Sequence, residues 1–272
     1  MAEERHDLMD SLDVDSPELM PYIPYLLKDL WELGSIPGYT IDLVERHIPT
    51  RDLKNVIDLG CGKGAVLIRM AEALGTGGIG IDLIPEFIAE ARERAEEADC
   101  GDKVQFETGD IKDVVALEEP YDLVIYGHDS DIFGDVRESL AALKKVTAPN
   151  GWIILETVYL APEGNEQLDP PNEAEFKLQL QQSGMEVIES ILWEADLIKT
   201  SNARNTRAIS RRVEDLVAAY PEKQELFAAY LAEQMEECKE LEEDLVCVTV
   251  LLQNQPEVVE LTEESGLSTE EE

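Results

Sequence analysis

Basic residues are scarce in this chain. It holds 22 lysines and arginines against 60 aspartates and glutamates, a net charge of −38 over 272 residues. A field of that sign repels phosphate backbones and anionic lipid surfaces, so neither nucleic acid nor membrane is an expected partner. Histidines number three, and the four cysteines, Cys61, Cys100, Cys238 and Cys247, form no C-x-x-C pair and no Cys/His ligand spacing. No metal is expected from them, and reduced thiols in a cytoplasmic protein are the simplest account. No basic-then-apolar leader opens the chain. No apolar run reaches the length that spans a bilayer. There is no internal repeat.

What is present is concentrated in one stretch, Val56-Ile57-Asp58-Leu59-Gly60-Cys61-Gly62-Lys63-Gly64. An apolar strand runs into three glycines at alternate positions and then into a helix. Glycine lets the backbone turn with positive φ or lets a ligand approach closely, so a ligand-cradling loop is the expectation. The pattern also fits a dinucleotide loop, Gly60-x-Gly62-x-x-Ala65, and the glycines alone do not decide. Asp58 does more. A carboxylate two residues before the first glycine is a poor neighbour for a pyrophosphate and a good one for an ammonium group. A phosphate-binding P-loop is excluded, because no Ser or Thr follows Lys63.

The length suits one large domain, or one domain with an insertion. Residues 1–15 are acidic and poorly patterned. Ser16-Pro17 reads as a helix start, and Leu19, Tyr22, Ile23, Leu26, Leu27, Leu30 and Trp31 follow at helical spacing, with Pro21 and Pro24 disturbing the early turns. A second helix is predicted over 40–47. From Asn55 strands and helices alternate: strands over 56–59, 78–83, 104–107, 121–126 and 152–156, helices over 65–74, 85–98 and 135–146. Strands without polar alternation, separated by helices, predict a doubly wound, mostly parallel α/β sheet. A helix over 173–182, a strand over 187–193, helical spacing over 202–216 and 221–241, and a strand over 246–252 complete the pattern. The last 17 residues, from Pro256, hold seven glutamates and no basic residue. They read as a solvated, disordered tail.

In such a sheet the ligand lies outside the carboxyl ends of the parallel strands. The first strand ends in the glycine loop. The second ends at Asp82-Leu83, with Asp82 placed to accept from both ribose hydroxyls. The third is followed by Gly109-Asp110-Ile111, an acid for an exocyclic amine beside an apolar residue for a ring face. The fourth ends in Gly127-His128-Asp129-Ser130-Asp131 and the fifth in Glu156-Thr157. Asp82 also reads as a helix cap, Asp110 as a turn residue, and Asp58 as a group satisfying loop amides.

Residues 54–156 resemble the class I S-adenosylmethionine-dependent methyltransferases. The resemblance rests on Asp58-x-Gly60-x-Gly62-x-Gly64, Gly80-Ile81-Asp82, Gly109-Asp110, Tyr121-Asp122-Leu123-Val124 and the Pro149-Asn150-Gly151 turn, in that order and spacing. It implies a seven-stranded Rossmann-like sheet whose last two strands form an antiparallel pair at the edge. It implies S-adenosylmethionine as cofactor, held by Asp58, Gly60, Cys61, Gly62, Asp82, Leu83, Asp110, Ile111 and Gly127. The implied domain spans 49–255, with a helical lid inserted at 194–245, a tail and helical cap over 1–48 and an acidic tail over 256–272.

The partner expected is a small-molecule methyl acceptor, and the chain is expected as a monomer or homodimer. His128, at the fourth strand end, is the candidate general base, with a contact to the cofactor as the plainer role. Asp129, Asp131 and Glu156 are the carboxylates that a Mg²⁺ site would need. Lys199, Arg204, Arg207, Arg211 and Arg212 fall within 14 residues. Arg204, Arg207 and Arg211 share a helical face and are candidates for holding an anionic acceptor; pairing with the acidic surface is the plainer role. Tyr22 is a candidate lining residue of the acceptor pocket, or core. An aminopropyl transferase on the same scaffold and a non-catalytic module that senses the cofactor are the alternatives.

Overall fold

The computed structural model describes residues 16–127 and 132–255. The strands are β1 (Val56–Leu59), β2 (Ile79–Asp82), β3 (Gln105–Thr108), β4 (Tyr121–Gly127), β5 (Thr147–Leu160), β6 (Glu186–Leu192) and β7 (Leu245–Gln253). They form one sheet in the order β3-β2-β1-β4-β5-β7-β6. The first five run parallel, and β7 inserts antiparallel between β5 and β6. The expected doubly wound sheet and its antiparallel edge pair are both present.

The helices are α1 (Ile23–Leu26), α2 (Pro37–His47), α3 (Ala65–Leu74), α4 (Pro85–Glu97), α5 (Ile111–Ala116), α6 (Val136–Lys144), α7 (Glu173–Gln182), α8 (Ala195–Ala219) and α9 (Gln224–Glu243). One face of the sheet packs against α2, α3 and α4 through Leu43, Val44, Leu67, Ile68 and Ala91. The other packs against α6 and α7 through Leu140, Leu143, Phe176 and Leu180. Burial on both faces is why the strands read as unbroken apolar runs.

A third core joins the chain's N-terminal part to the pair α8 and α9. Leu19, Ile23, Leu26, Leu27 and Leu30 meet Ala208, Ile209, Val213, Leu216, Phe227 and Tyr230 there, together with Ile84 and Phe87 next to the tip of β2. β6 runs parallel to β5, so α8 leaves the sheet at the same edge as the parallel strand tips.

The N-terminal segment departs from its periodicity. Helical spacing predicts one helix through Trp31, but the chain makes a 3₁₀ turn over Met20–Tyr22, one short α-helix, and then turns. Pro21 and Pro24 each remove a backbone donor, and Gly34 follows with φ +73. The second helix begins three residues earlier than predicted, at Pro37, whose ring suits a first turn. β5 is far longer than its apolar run because β7 pairs with it from Trp152 to Leu160.

Candidate functional site

The glycine loop leaves β1 and wraps against the tip of β2. Gly60 N–H and Cys61 N–H both donate to Ile81 O at 2.9 Å. Asp82 completes the clasp: Oδ2 accepts from Gly62 N at 2.9 Å and Oδ1 from Ile84 N at 2.8 Å. Each carboxylate oxygen keeps a second lone pair. Gly60 has φ +78, and a Cβ there would meet no described residue within 4 Å, so among these residues it faces open space. Gly64 has φ +75 and a Cβ there would lie 2.5 Å from the Phe106 ring, so its place is structural. The same loop therefore uses glycine once for access and once for packing.

Asp58 is the last residue but one of β1, just before this loop. It is 4% exposed, and its Oδ2 has no hydrogen-bond partner among the described residues. Burial, reinforced by Asp82, pushes its carboxyl up to about 7. Cys61 is buried too, and burial with the Asp58 and Asp82 charges raises its thiol well above the ordinary range. It is a filler against Gly80 and not a reactive thiolate.

Asp110 caps α5, with Oδ1 accepting Lys112 N–H at 2.8 Å, and Ile111 beside it is 6% exposed. Leu83 is half-buried after the β2 tip, and Gly127 ends β4 exposed, with no described residue within 4 Å of where a Cβ would be. The loop, Asp82-Leu83, Asp110-Ile111 and Gly127 thus stand at four adjacent strand tips. His128, Asp129 and Asp131 lie outside the described residues, as do the two tails.

Glu156 is the acid whose setting its sequence position does not disclose. It pairs in register with Gly127 on one side and Thr249 on the other. It is 6% exposed, and Thr249 Oγ1 donates to its Oε1 at 3.4 Å. Trp193 Nε1 in turn donates to Thr249 Oγ1 at 2.8 Å. Burial and the nearby Asp58 push the Glu156 carboxyl up to about 8, against the pull of donors on Thr249, Ile36 and Thr40. The Thr40 hydroxyl, fully buried on α2, faces it without completing a hydrogen bond of good geometry.

The arginine cluster divides. Arg212 forks onto Asp29 at 2.7 and 2.8 Å over the Tyr25 ring. Arg204 reaches Glu32 at 3.1 Å. Arg207 and Arg211 are exposed on α8. Arg204 also lines a groove of about 340 Å³ with Arg69, Glu32, Ile36, Ile41 and Leu197. The groove does not include the glycine loop; Ile36 forms its wall and turns its amide toward Glu156. Tyr22 is engaged elsewhere, packing edge-on against Tyr220 and Phe227.

The signature of a methyltransferase domain matches residues 50–241. The chain is 29% identical over 155 residues to 27-O-demethylrifamycin SV methyltransferase of Amycolatopsis mediterranei, covering 50% of this chain and 56% of that one. It is 28% identical over 107 residues to norajmaline N-methyltransferase of Rauvolfia serpentina, covering 39% and 37%. The match thus spans little more than a third to just over half the length of these relatives. In fold it is similar to a SAM-dependent methyltransferase from Thiobacillus denitrificans solved with S-adenosyl-L-homocysteine. The TM-score is 0.69 at 23% identity, over 88% of this chain and 99% of that one. The loop, the acids at successive strand tips and the sheet order agree with these matches: the chain belongs to the class I S-adenosylmethionine-dependent methyltransferase family.

Proposed function

We propose that this chain transfers a methyl group from S-adenosylmethionine to a small-molecule acceptor. Asp58 carries the reading. A buried polar atom without a partner costs about 1–3 kcal/mol, and a cationic ligand group relieves that cost where a phosphate would add to it. Its unpartnered Oδ2 therefore fits the donor's ammonium. Asp82 would take the ribose hydroxyls with its remaining lone pairs, and Gly60 leaves room for the methionine part. Ile111 would cover the adenine, and Asp110 would accept from its amine. The bound donor supplies an electrophilic methyl on a sulfonium.

Among the described residues Glu156 is our candidate for receiving the acceptor's proton. It is buried beside Gly127, held by Thr249, and its raised proton affinity lies in the range a general base uses. The groove lined by Arg69 and Arg204 supports an acceptor that also carries an anionic group. Arg207, Arg211 and Tyr22 do not strengthen that part of the reading. Holding the acceptor in line and excluding water would lower the barrier by about 7–11 kcal/mol without a covalent intermediate. The four free cysteines suit a reducing compartment, and we place the enzyme in the cytoplasm.

The experiment is incubation with methyl-labelled S-adenosylmethionine and fractionated metabolite extracts. Label should enter a small soluble product with the wild type and not with Asp82→Ala. Donor binding without transfer to any metabolite would replace an enzyme with a sensor. Transfer of a propylamine group from the decarboxylated donor would replace methyl with aminopropyl chemistry.

A further inference from the structure

Lys63 stands inside the glycine loop, yet its side chain turns away from the strand tips and is 1% exposed. Its Nζ donates to Leu27 O and Leu30 O, each at 2.7 Å, lies 3.3 Å from Lys28 O and pairs with Glu90 at 2.8 Å. Those carbonyls belong to the turns that follow α1, and Leu27 O also accepts Leu30 N–H at 3.0 Å, so the ammonium is added to a turn already closed on itself. Burial disfavours the ammonium and Glu90 favours it. An ammonium so deeply placed is kept only by a full set of oxygens.

The main chain of the same residue is held from the same direction. Trp31 Nε1 donates to Lys63 O at 3.1 Å. Arg69 and Arg94 lie over the Trp31 ring at 4.6 and 4.9 Å, and Arg94 returns to Glu90 at 2.6 Å. The contacts close a circuit from Lys63 through Glu90, Arg94 and Trp31 back to Lys63. Two residues on, Leu33 covers the loop, 3.2 Å from where a Cβ on Gly62 would stand. Residues 27–34 form neither helix nor strand. They are a strap laid over the glycine loop. Leu27 and Leu30 continue it into the core shared with Ile84, Phe87, Ala208 and Ile209. The strap thus joins the glycine loop, the shoulder beside Asp82 and helix α8.

We propose that Lys63 is a positioning residue that pins this strap to the glycine loop, so that donor binding and strap closure form one coupled equilibrium. The proposal rests on reading the loop as the donor site. A strap released from Lys63 leaves Gly62 without its cover and frees the loop that Asp82 must hold in shape. Coupling is reciprocal: the donor tightens the strap by the factor by which loosening the strap weakens the donor.

Hydrogen exchange of peptides covering 27–34, with and without S-adenosylhomocysteine, tests the first half on the wild type. Exchange is expected to slow about tenfold on binding. Lys63→Met keeps the stem and removes the ammonium. It should speed strap exchange and weaken S-adenosylhomocysteine about tenfold, measured well below its unfolding temperature. Exchange in peptides of the sheet away from the strap and the glycine loop should stay at the wild-type rate, a split that general destabilisation does not give. If Lys63→Met fails to fold, Trp31→Phe loosens the same circuit more gently by removing the indole donor, and it should shift both readouts in the same direction. Strap exchange indifferent to ligand, or full affinity in the folded variant, overturns the latch while leaving the donor site intact. A wild type that binds no S-adenosylhomocysteine overturns the donor reading, and the latch with it.

Discussion

Donor binding should be linked to proton release at Asp58. In the free protein burial and the Asp82 charge push its carboxyl up to about 7, and its Oδ2 has no hydrogen-bond partner among the described residues. A ligand ammonium needs the charged form. With that midpoint, about one tenth of Asp58 is ionised at pH 6 and about three quarters at pH 7.5. Ionisation of Asp58 alone would raise the affinity of S-adenosylhomocysteine about eightfold across that interval. The ligand's own amino group, with a pKa of about 7.7–8.0, loses part of its charge by pH 7.5, so the net rise should be about five- to sixfold, roughly 1 kcal/mol. Glu156 titrates nearby, at about 8, and Asp82 is raised as well, so Glu156→Gln serves as the control. Calorimetry in two buffers of different ionisation enthalpy counts the protons released. Asp58→Asn should bind more weakly and lose the slope. A flat wild-type profile, or an equal slope in Asp58→Asn, refutes the reasoning.

Further outcomes follow from the same contacts. The raised Asp58 pKa means that the native donor-free protein holds a proton the unfolded chain has lost, so this group's contribution falls as pH rises from about 4 to 7. Asp58→Asn should accordingly raise the melting temperature at pH 8 and leave it nearly unchanged near pH 4. Gly64→Ala forces a side chain onto Phe106 at φ +75 and should cost about 2–4 kcal/mol in urea unfolding. Arg204→Ala should raise the acceptor KM, whereas Arg207→Ala and Arg211→Ala, on the exposed face of α8, should change neither acceptor KM nor donor affinity. With an acceptor in hand, Glu156→Gln should lower kcat and remove the acid-limb inflection, near pH 8, below which wild-type activity falls.

The sheet was legible because its signals are local. Apolar runs between amphipathic helices reveal buried parallel strands, and the glycines and acids at strand ends locate the crevice. The remainder depends on contacts distant in sequence. Lys63 reads as a loop cation until the carbonyls at 27, 28 and 30 come to meet it, 33 to 36 residues away. Glu156 reads as a strand-end acid, and only β7, arriving from residue 249, shows it buried. Arg204, Arg207 and Arg211 share a helical face by spacing, but Glu32 and the groove distinguish Arg204 from the others. Leucines at helical intervals could not show that prolines would divide residues 16–31 into turns, because a strap and a helix bury the same residues.

The most direct measurement is calorimetric binding of S-adenosylhomocysteine to the wild type and to Asp82→Ala. Binding at one site per chain in the wild type, weakened tenfold or more in the variant, is the expected result. No binding, or equal affinity in both proteins, contradicts the assignment of the crevice.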